Sequence, residues 1–458
     1  MKHSGHHFIA VFGGAVSGAE AAYQLANRGF RVVVFDQNIL PYGKIEDGLP
    51  KWHSKLRDKE EQRINEKIDL PNVRFVPGVK LGKDIDFEDI ARNWGFTAVI
   101  LATGAWRDRP LPINGIDQYV NRGLYYQNPF VYWFNHNHEP EFAGEKFDIV
   151  DGAAVVGGGL ASLDVVKILM IESVQKALAE RGHRVDMFTL DRSIAKVLDN
   201  LNLSLSDLDL EGCTLYYRRR DIDMPLSSIP TDTPEQLEKA QMVRKKILDN
   251  YQKKYLFKFE PCHMPVDKIV EGERLEGIVF RKTKIENNKV EPILGSDVEI
   301  RAPLFISSIG SIPEPIPGIP TQGQVFKISN AECCQIEGYD NVFAVGNAVT
   351  GRGNINESLK HGREITEEVM DNFLQWQEED YQSWLRTTES TVESNINAIV
   401  DTIKRKKFMP DEVIQNILDK TEVLQKKVGY NGSYSDWVDK NLPVRLETML
   451  ENESNTGN

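Results

Sequence analysis

Phe8-Ile-Ala-Val-Phe12, then Gly13-Gly-Ala-Val-Ser-Gly18, then Ala19-Glu-Ala-Ala-Tyr-Gln-Leu-Ala-Asn27 and Arg31-Val-Val-Val-Phe-Asp36 decide the fold. An apolar run, a glycine-rich turn, a segment with apolar spacing near 3.6 and a second apolar run make one βαβ unit. Each position in the turn has a physical reason. Gly13 makes the tight bend, and a small residue in the middle lets the backbone approach a pyrophosphate. Gly18 lets the helix pack close on the sheet, with the helix start facing the phosphates. The middle position is Ala15, one methyl larger than the usual glycine. Asp36 ends the second strand, where a carboxylate bonds a ribose diol.

The pattern recurs downstream. Ile149–Val156 leads into Gly157-Gly-Gly159, then into a helix over Leu160–Ile171, with Ala161 and Ser162 at its start. Ser162 stands where the first unit has Gly18 and widens the contact between helix and strand. Candidate strands follow at Arg184–Leu190 and Cys213–Tyr217, separated by an acidic, Leu-rich insertion at Asp199–Glu211. Further strands fall near 276–284, 297–301 and 303–308, and the proline-rich Pro313–Pro320 reads as a crossover. Asn341-Val-Phe-Ala-Val-Gly346 is one more strand into a glycine turn, and the sequence from Ile355 onward is helical and polar. This order is that of one domain interrupted by another. The expected fold is α/β, with two Rossmann-like nucleotide-binding domains, the second inserted in the first, and a helical C-terminal extension. Boundaries fall at 1–107, 108–335 and 336–458, and the tail Glu451–Asn458 reads as frayed.

Composition narrows the function classes. The chain has 458 residues, 55 Lys+Arg against 68 Asp+Glu, and a formal net charge of -13. That balance argues against general nucleic-acid binding, which needs a basic face. No stretch has the ~18 uncharged apolar residues of a membrane span, and the start is too short for a signal segment, so a cytoplasmic location is expected. The four cysteines, Cys213, Cys262, Cys333 and Cys334, form no C-x-x-C and no metal spacing. A dithiol relay and an internal iron–sulfur cluster are therefore not expected, nor is a metal site.

Taken together the motifs resemble the adrenodoxin reductase / ferredoxin–NADP reductase branch of the flavoprotein disulfide-reductase-like proteins, related to glutamate synthase small subunits. The residues that carry the resemblance are Ile9–Ala22, Leu40-Pro-Tyr-Gly43, Gly48-Leu-Pro-Lys-Trp-His53 and Leu101-Ala-Thr-Gly-Ala105. They continue with Gly157–Asp164, Tyr217-Arg-Arg-Arg220 with Met224-Pro225, Ser307-Ser-Ile-Gly310, Val342–Gly351 and Tyr434-Ser-Asp-Trp437. The resemblance implies FAD on the outer domain, held by Gly13, Gly14, Ala15, Val16, Ser17 and Gly18. Asp36, Gln37, Gly43, Lys44, His53 and Val79 are implied around it, with Ala102, Thr103 and Gly104 at a strand end beside it. Gly346-Asn347 matches the family's Gly-Asp turn, with Asn347 keeping an acceptor oxygen but no charge. Gly353, Asn354 and Ile355 fall where backbone amides meet the flavin edge. His53 matches a histidine near flavin and nicotinamide, either a proton shuttle or an orienting residue.

The inserted domain is expected to take NADP(H) on Gly157, Gly159, Leu160 and Ala161. Two strand ends compete to read the ribose. Asp191, after Arg184–Leu190, would favour NAD(H). Arg218, Arg219 and Arg220, after Cys213–Tyr217, fit a 2′-phosphate, and the family match selects them. Arg244, Lys245 and Lys246 lie at a place similar to a docking patch for an acidic ferredoxin-like carrier, against the alternative of a solvated helix face. The implied activity is FAD-dependent hydride transfer from NADPH, then single-electron transfer to a ferredoxin-like acceptor. The alternatives are a flavin monooxygenase or direct small-molecule oxidoreductase, and a non-catalytic flavin-binding subunit using the C-terminal helices as an interface.

Overall fold

The computed structural model describes residues 6–227, 229, 231–350 and 373–456. A seven-stranded sheet forms the first domain. Its spatial order is Ile328–Asn330, Gln335–Ile336, Val342–Ala344, Ala98–Leu101, Phe8–Phe12, Arg31–Phe35 and Val73–Val76. The five strands from Val342–Ala344 onward are parallel. Phe12 pairs with both Phe35 and Leu101. Three carboxyl ends therefore stop at one level, and their turns open on one side, where ligands bind in such sheets. The strands are continuous apolar runs because both faces are covered. One face packs on Val16–Asn27, Ser54–Ile68 and Phe373–Ile403, through Leu25, Ile64, Val392, Ile396 and Ile399. The other face packs on Phe87–Arg92 and Asp411–Val428, through Phe87, Ile90 and Ile417. The C-terminal helices thus serve as core for the first domain.

A five-stranded parallel sheet forms the second domain, in the order Leu124–Tyr126, Phe305–Ser308, Ala154–Gly157, Thr214–Tyr216 and Lys258–Glu260. The helices Gln127–His136, Leu160–Glu180 and Pro234–Tyr255 contribute to the core on one face. An antiparallel sheet of His263–Glu271, Arg274–Glu286 and Lys289–Arg301 contributes Leu275, Ile278 and Phe280 to the core on the other. The chain crosses between domains twice, and the crossings pair with each other, Arg107–Asp108 antiparallel to Ser311–Ile312. The first sheet resumes at Ile328, upstream of the 335/336 boundary read from the sequence.

Two sequence expectations are corrected here. The stretch Arg184–Leu190 is not a strand. Asp186 caps a helix over Met187–Arg192 by accepting from the Thr189 N–H at 3.0 Å. The strand parallel to Ala154–Gly157 on that side is Thr214–Tyr216, and the intervening helices Met187–Arg192 and Ile194–Leu201 account for the long separation. The tail is helical over Leu446–Thr456, anchored by Arg57 to Glu447. The Arg244-Lys-Lys246 run, expected as a docking patch or a solvated helix face, has two of its three cations engaged within the domain. Arg244 is buried and donates to the Ile222 carbonyl, and Lys245 pairs with Asp221 at 2.9 Å.

Candidate functional site

Both glycine turns open into one cavity of about 1170 Å³. In the first turn, the Gly13 N–H donates to the Phe35 carbonyl at 2.7 Å with φ +99°, and a Cβ there would stand 2.4 Å from the Ala102 oxygen. A Cβ on Gly18 would stand 1.7 Å from the Gly13 oxygen. Only glycine permits this close approach of helix, turn and strand. The helix Val16–Asn27 begins at Ala15 with no side-chain cap. Its first N–H groups are therefore left for an anion. Asp36 is buried at the end of the second strand, accepting from the Gly14 N–H at 2.6 Å and from the Asn38 N–H at 2.8 Å. Each carboxylate oxygen keeps a further lone pair, and Asp36 forms part of the cavity wall. Burial pushes its carboxyl up to about 6, against the lowering effect of those two N–H bonds. Turn and acid together fit a dinucleotide pyrophosphate and ribose.

Gln37, Gly43, Lys44, Val79, Ala102, Thr103, Gly104 and Asn347 also line this end of the cavity. Gly346, at φ +66°, lies so close to the first helix that a Cβ would stand 2.2 Å from Ser17 Oγ. The returning chain thus closes onto the first turn. Gly14 and Gly18 support the cavity from behind. Gly353, Asn354 and Ile355 lie outside the described residues. His53 is buried behind the wall, its ring edge-on to Tyr381 at 5.6 Å, and Tyr381 itself faces the cavity. Burial and the nearby Lys167 push the imidazole down to about 3. A neutral ring off the cavity wall favours the orienting role over the proton shuttle.

The second turn repeats the first with different chemistry. Gly157, Gly159, Leu160 and Ala161 line the cavity, and Gly159 has open space where a Cβ would point. The helix Leu160–Glu180 again starts without a side-chain cap. Ser162 Oγ donates to the Gly159 carbonyl at 2.7 Å. In the first domain the residue after the first glycine, Gly14, abuts Asp36. In the second, a Cβ on Gly158 would stand 2.1 Å from the Tyr217 ring. A tyrosine followed by Arg218 therefore replaces the acid. Arg218 is exposed on the cavity wall, and its side chain has no carboxylate partner among the described residues. Arg219 donates to Asn288, and Arg220 pairs with Asp223 at 2.8 Å, so neither reaches the cavity. Asp191 is far from this role: its buried carboxylate pairs with the fully buried Lys167.

Sequence reasoning missed the contacts that set one domain against the other. Asn135 donates to the Glu46 and Leu49 carbonyls, both at 2.9 Å, and accepts from the Lys51 N–H at 3.0 Å. Lys44 Nζ donates to Asn128 Oδ1 and Ser311 Oγ, both at 3.0 Å. Trp52 enters the second domain's core, 5.3 Å from Phe134, with Lys167 4.2 Å over its ring. His136 bridges Asp47 and Glu139. The signal was present only as a run of polar and aromatic residues at 126–139, which has no motif.

Two cradles, one ending in Asp36 and the other in Tyr217-Arg218, thus meet in one cavity. Residues 7–201 match the family described as pyridine nucleotide-disulphide oxidoreductase. The chain is 24% identical over 403 residues to the NADPH-ferredoxin reductase FprA of Mycobacterium tuberculosis, covering 80% of this chain and 84% of that protein. It is 23% identical over 356 residues to the probable mitochondrial NADPH:adrenodoxin oxidoreductase of Schizosaccharomyces pombe, covering 71% and 74%. The structure of M. tuberculosis FprA in complex with NADPH aligns over 92% of this chain and 91% of its own, with a TM-score of 0.65 and 19% identity. The resemblance drawn from the motifs, and the nested two-domain fold, are thereby borne out. No described helix is long and apolar enough to cross a membrane.

Proposed function

We propose that the protein is an FAD-dependent oxidoreductase that takes hydride from NADPH and passes electrons on to a ferredoxin-like carrier. One observation carries this reading. Two glycine cradles open into a single cavity, one ending in Asp36 and the other in Tyr217-Arg218. The names of the similar proteins, NADPH-ferredoxin and NADPH:adrenodoxin reductases, agree with that assignment. FAD, when bound, supplies hydride acceptance from a reduced nicotinamide and stepwise release of the electron pair.

The protein's own part is positioning. The Gly13–Gly18 turn and the uncapped helix after it would receive the FAD pyrophosphate, and Asp36 the ribose. The Gly157–Ala161 turn would receive the nicotinamide dinucleotide, with Arg218 on a 2′-phosphate. Asn135, Lys44 and Trp52 hold the two domains in one relation, which would set the spacing of the two bound dinucleotides. Tyr381, Trp384 and Leu385 contribute apolar surface to the cavity wall. Among the described residues the cysteines are free and buried or half-buried, with no C-x-x-C.

The test is identification of the chromophore released on denaturation, followed by NADPH oxidation with ferredoxin, a quinone and oxygen as alternative acceptors. Released FAD and a rate that depends on ferredoxin support the proposal. A colourless protein that takes up no FAD, or turnover that ferredoxin does not accelerate, overturns it.

A further inference from the structure

The second crossing between the domains does more than return the chain to the first sheet. Pro313, Pro315, Pro317 and Pro320 fix φ along it and keep it out of helix and strand. It is nevertheless seated in the core. Ile316 and Ile319 are buried in one cluster with Leu81, Ile85 and Phe87. Gly82, at φ +82°, lies so close to the crossing that a Cβ would stand 3.1 Å from Ile316 Cγ2 and 3.3 Å from Pro317 Cδ. The Lys80 ammonium donates to both carboxylate oxygens of Glu314, at 2.9 and 2.7 Å. Both partners of this pair, with Gly82, Ile316 and Pro317, line the cavity.

The topology says which end of the cavity this is. In the first sheet Arg31–Phe35 stands between Phe8–Phe12 and Val73–Val76, while Ala98–Leu101 flanks Phe8–Phe12 on the other side. A dinucleotide with its pyrophosphate on the Gly13–Gly18 turn and its ribose on Asp36 therefore carries its base outward, over the turn that follows Val73–Val76. That turn is tied to the acid itself, with the Val79 N–H donating to the Asp36 carbonyl at 2.7 Å. Lys80–Gly82 continues it. The other half of the dinucleotide runs the opposite way, toward Ala102–Gly104. The Lys80–Glu314 pair thus stands at the adenosine end of the first cradle, on the far side of Asp36 from Ala102–Gly104.

We propose that Glu314–Pro317, clasped to Lys80–Gly82, closes the first cradle over the adenosine half of its FAD and sets the rate at which FAD leaves. The proposal rests on the FAD reading of that cradle and adds to it how the cofactor is retained. Ile316 and Pro317 give the cavity apolar surface at this end, and the ion pair holds them against the turn. Lys80 and Glu314 are positioning residues.

The test is FAD release from the loaded protein after dilution, followed by the rise in flavin fluorescence, in Lys80→Glu, Glu314→Lys and the double exchange. Both single reversals are expected to speed release by about three- to tenfold, because each loses a half-exposed ion pair and sets like charges together. The double exchange is expected to return the rate to that of the unmodified protein. A direct effect of charge on the anionic cofactor would give opposite signs instead, faster release from Lys80→Glu and slower from Glu314→Lys. Opposite signs, unchanged rates, or a double exchange as fast as the single variants overturn the clasp while leaving the FAD assignment standing. An unmodified protein that takes up no FAD overturns the assignment itself.

Discussion

Asp191 separates two accounts of the second cradle. Were it the acid that reads an unphosphorylated ribose, its removal would change nucleotide preference and little else. The structure instead makes it the partner of Lys167, with both side chains buried. Lys167 also lies 4.2 Å over Trp52 and 4.9 Å over Tyr255, and these contacts with the carboxylate hold its ammonium charged despite burial. Asp191→Ala leaves that charge without its counter-ion, a loss of about 3–5 kcal/mol. At a urea slope of about 2 kcal/mol per molar, the unfolding midpoint of the domain falls by roughly 2 M. The assay is urea unfolding followed by tryptophan fluorescence, beside the ratio of kcat/KM for NADPH and NADH. The ratio is expected to stay as it was. Asp191→Leu combined with Lys167→Met is expected to recover most of the lost stability, because a buried pair replaced by apolar side chains of similar volume is close to neutral. A midpoint that does not move in Asp191→Ala, or a shifted NADPH/NADH ratio in a protein of full stability, refutes the reasoning.

Asp36 gives a pH signature in two parts. Its carboxyl lies near about 6 in the fold and near about 3.9 when unfolded. Its contribution to the stability of the flavin-free protein is therefore full below about pH 4 and lost as pH rises to about 6. On the proposed assignment the carboxylate accepts from the FAD ribose, so FAD affinity is expected to rise through the same range, and Asp36→Asn to flatten both profiles in melting and fluorescence titrations. His136 behaves oppositely to a buried unpaired histidine. Burial lowers its pKa, but the bonds to Asp47 and Glu139 outweigh it and raise it to about 9. Its stabilisation is full below about pH 6.5 and lost through about pH 9, a slope that His136→Gln should abolish in thermal melts. Gly158→Ala puts a methyl into the Tyr217 ring. The overpacking costs about 1–3 kcal/mol, and the displaced ring carries Arg218 with it, so KM for NADPH is expected to rise without loss of FAD on size-exclusion.

The parts legible in the sequence are those fixed by local rules. Gly13, Gly18, Gly157 and Gly159 are legible because a close approach of backbone to backbone, or to a ligand, has few residue solutions. Asp36 is legible because its strand ends one turn away from them. Arg184–Leu190 misled because its apolar and β-branched residues read as a strand, while the Asp186 cap and the burial of Asp191 against Lys167 are tertiary facts. The arginine run named three candidates, and only contacts with Asn288 and Asp223 sort Arg218 from Arg219 and Arg220. The same holds for the basic run at Arg244–Lys246. A basic run on a helix looks solvated or available until the neighbouring turn at Asp221–Asp223 is seen to cover Arg244 and pair with Lys245. Asn135 carried no signal, and Trp52 stood in a quoted motif without its packing role being legible, since such residues acquire that meaning only when two domains meet.

The central claim is that two cradles hold their nucleotides ring to ring in one cavity. Anaerobic mixing of the FAD-loaded protein with NADPH or NADH, followed by flavin absorbance in a stopped-flow instrument, tests it most directly. The account predicts full bleaching by one equivalent of NADPH, faster and at lower concentration than by NADH. Flavin that stays oxidised with either donor while both remain bound would contradict it.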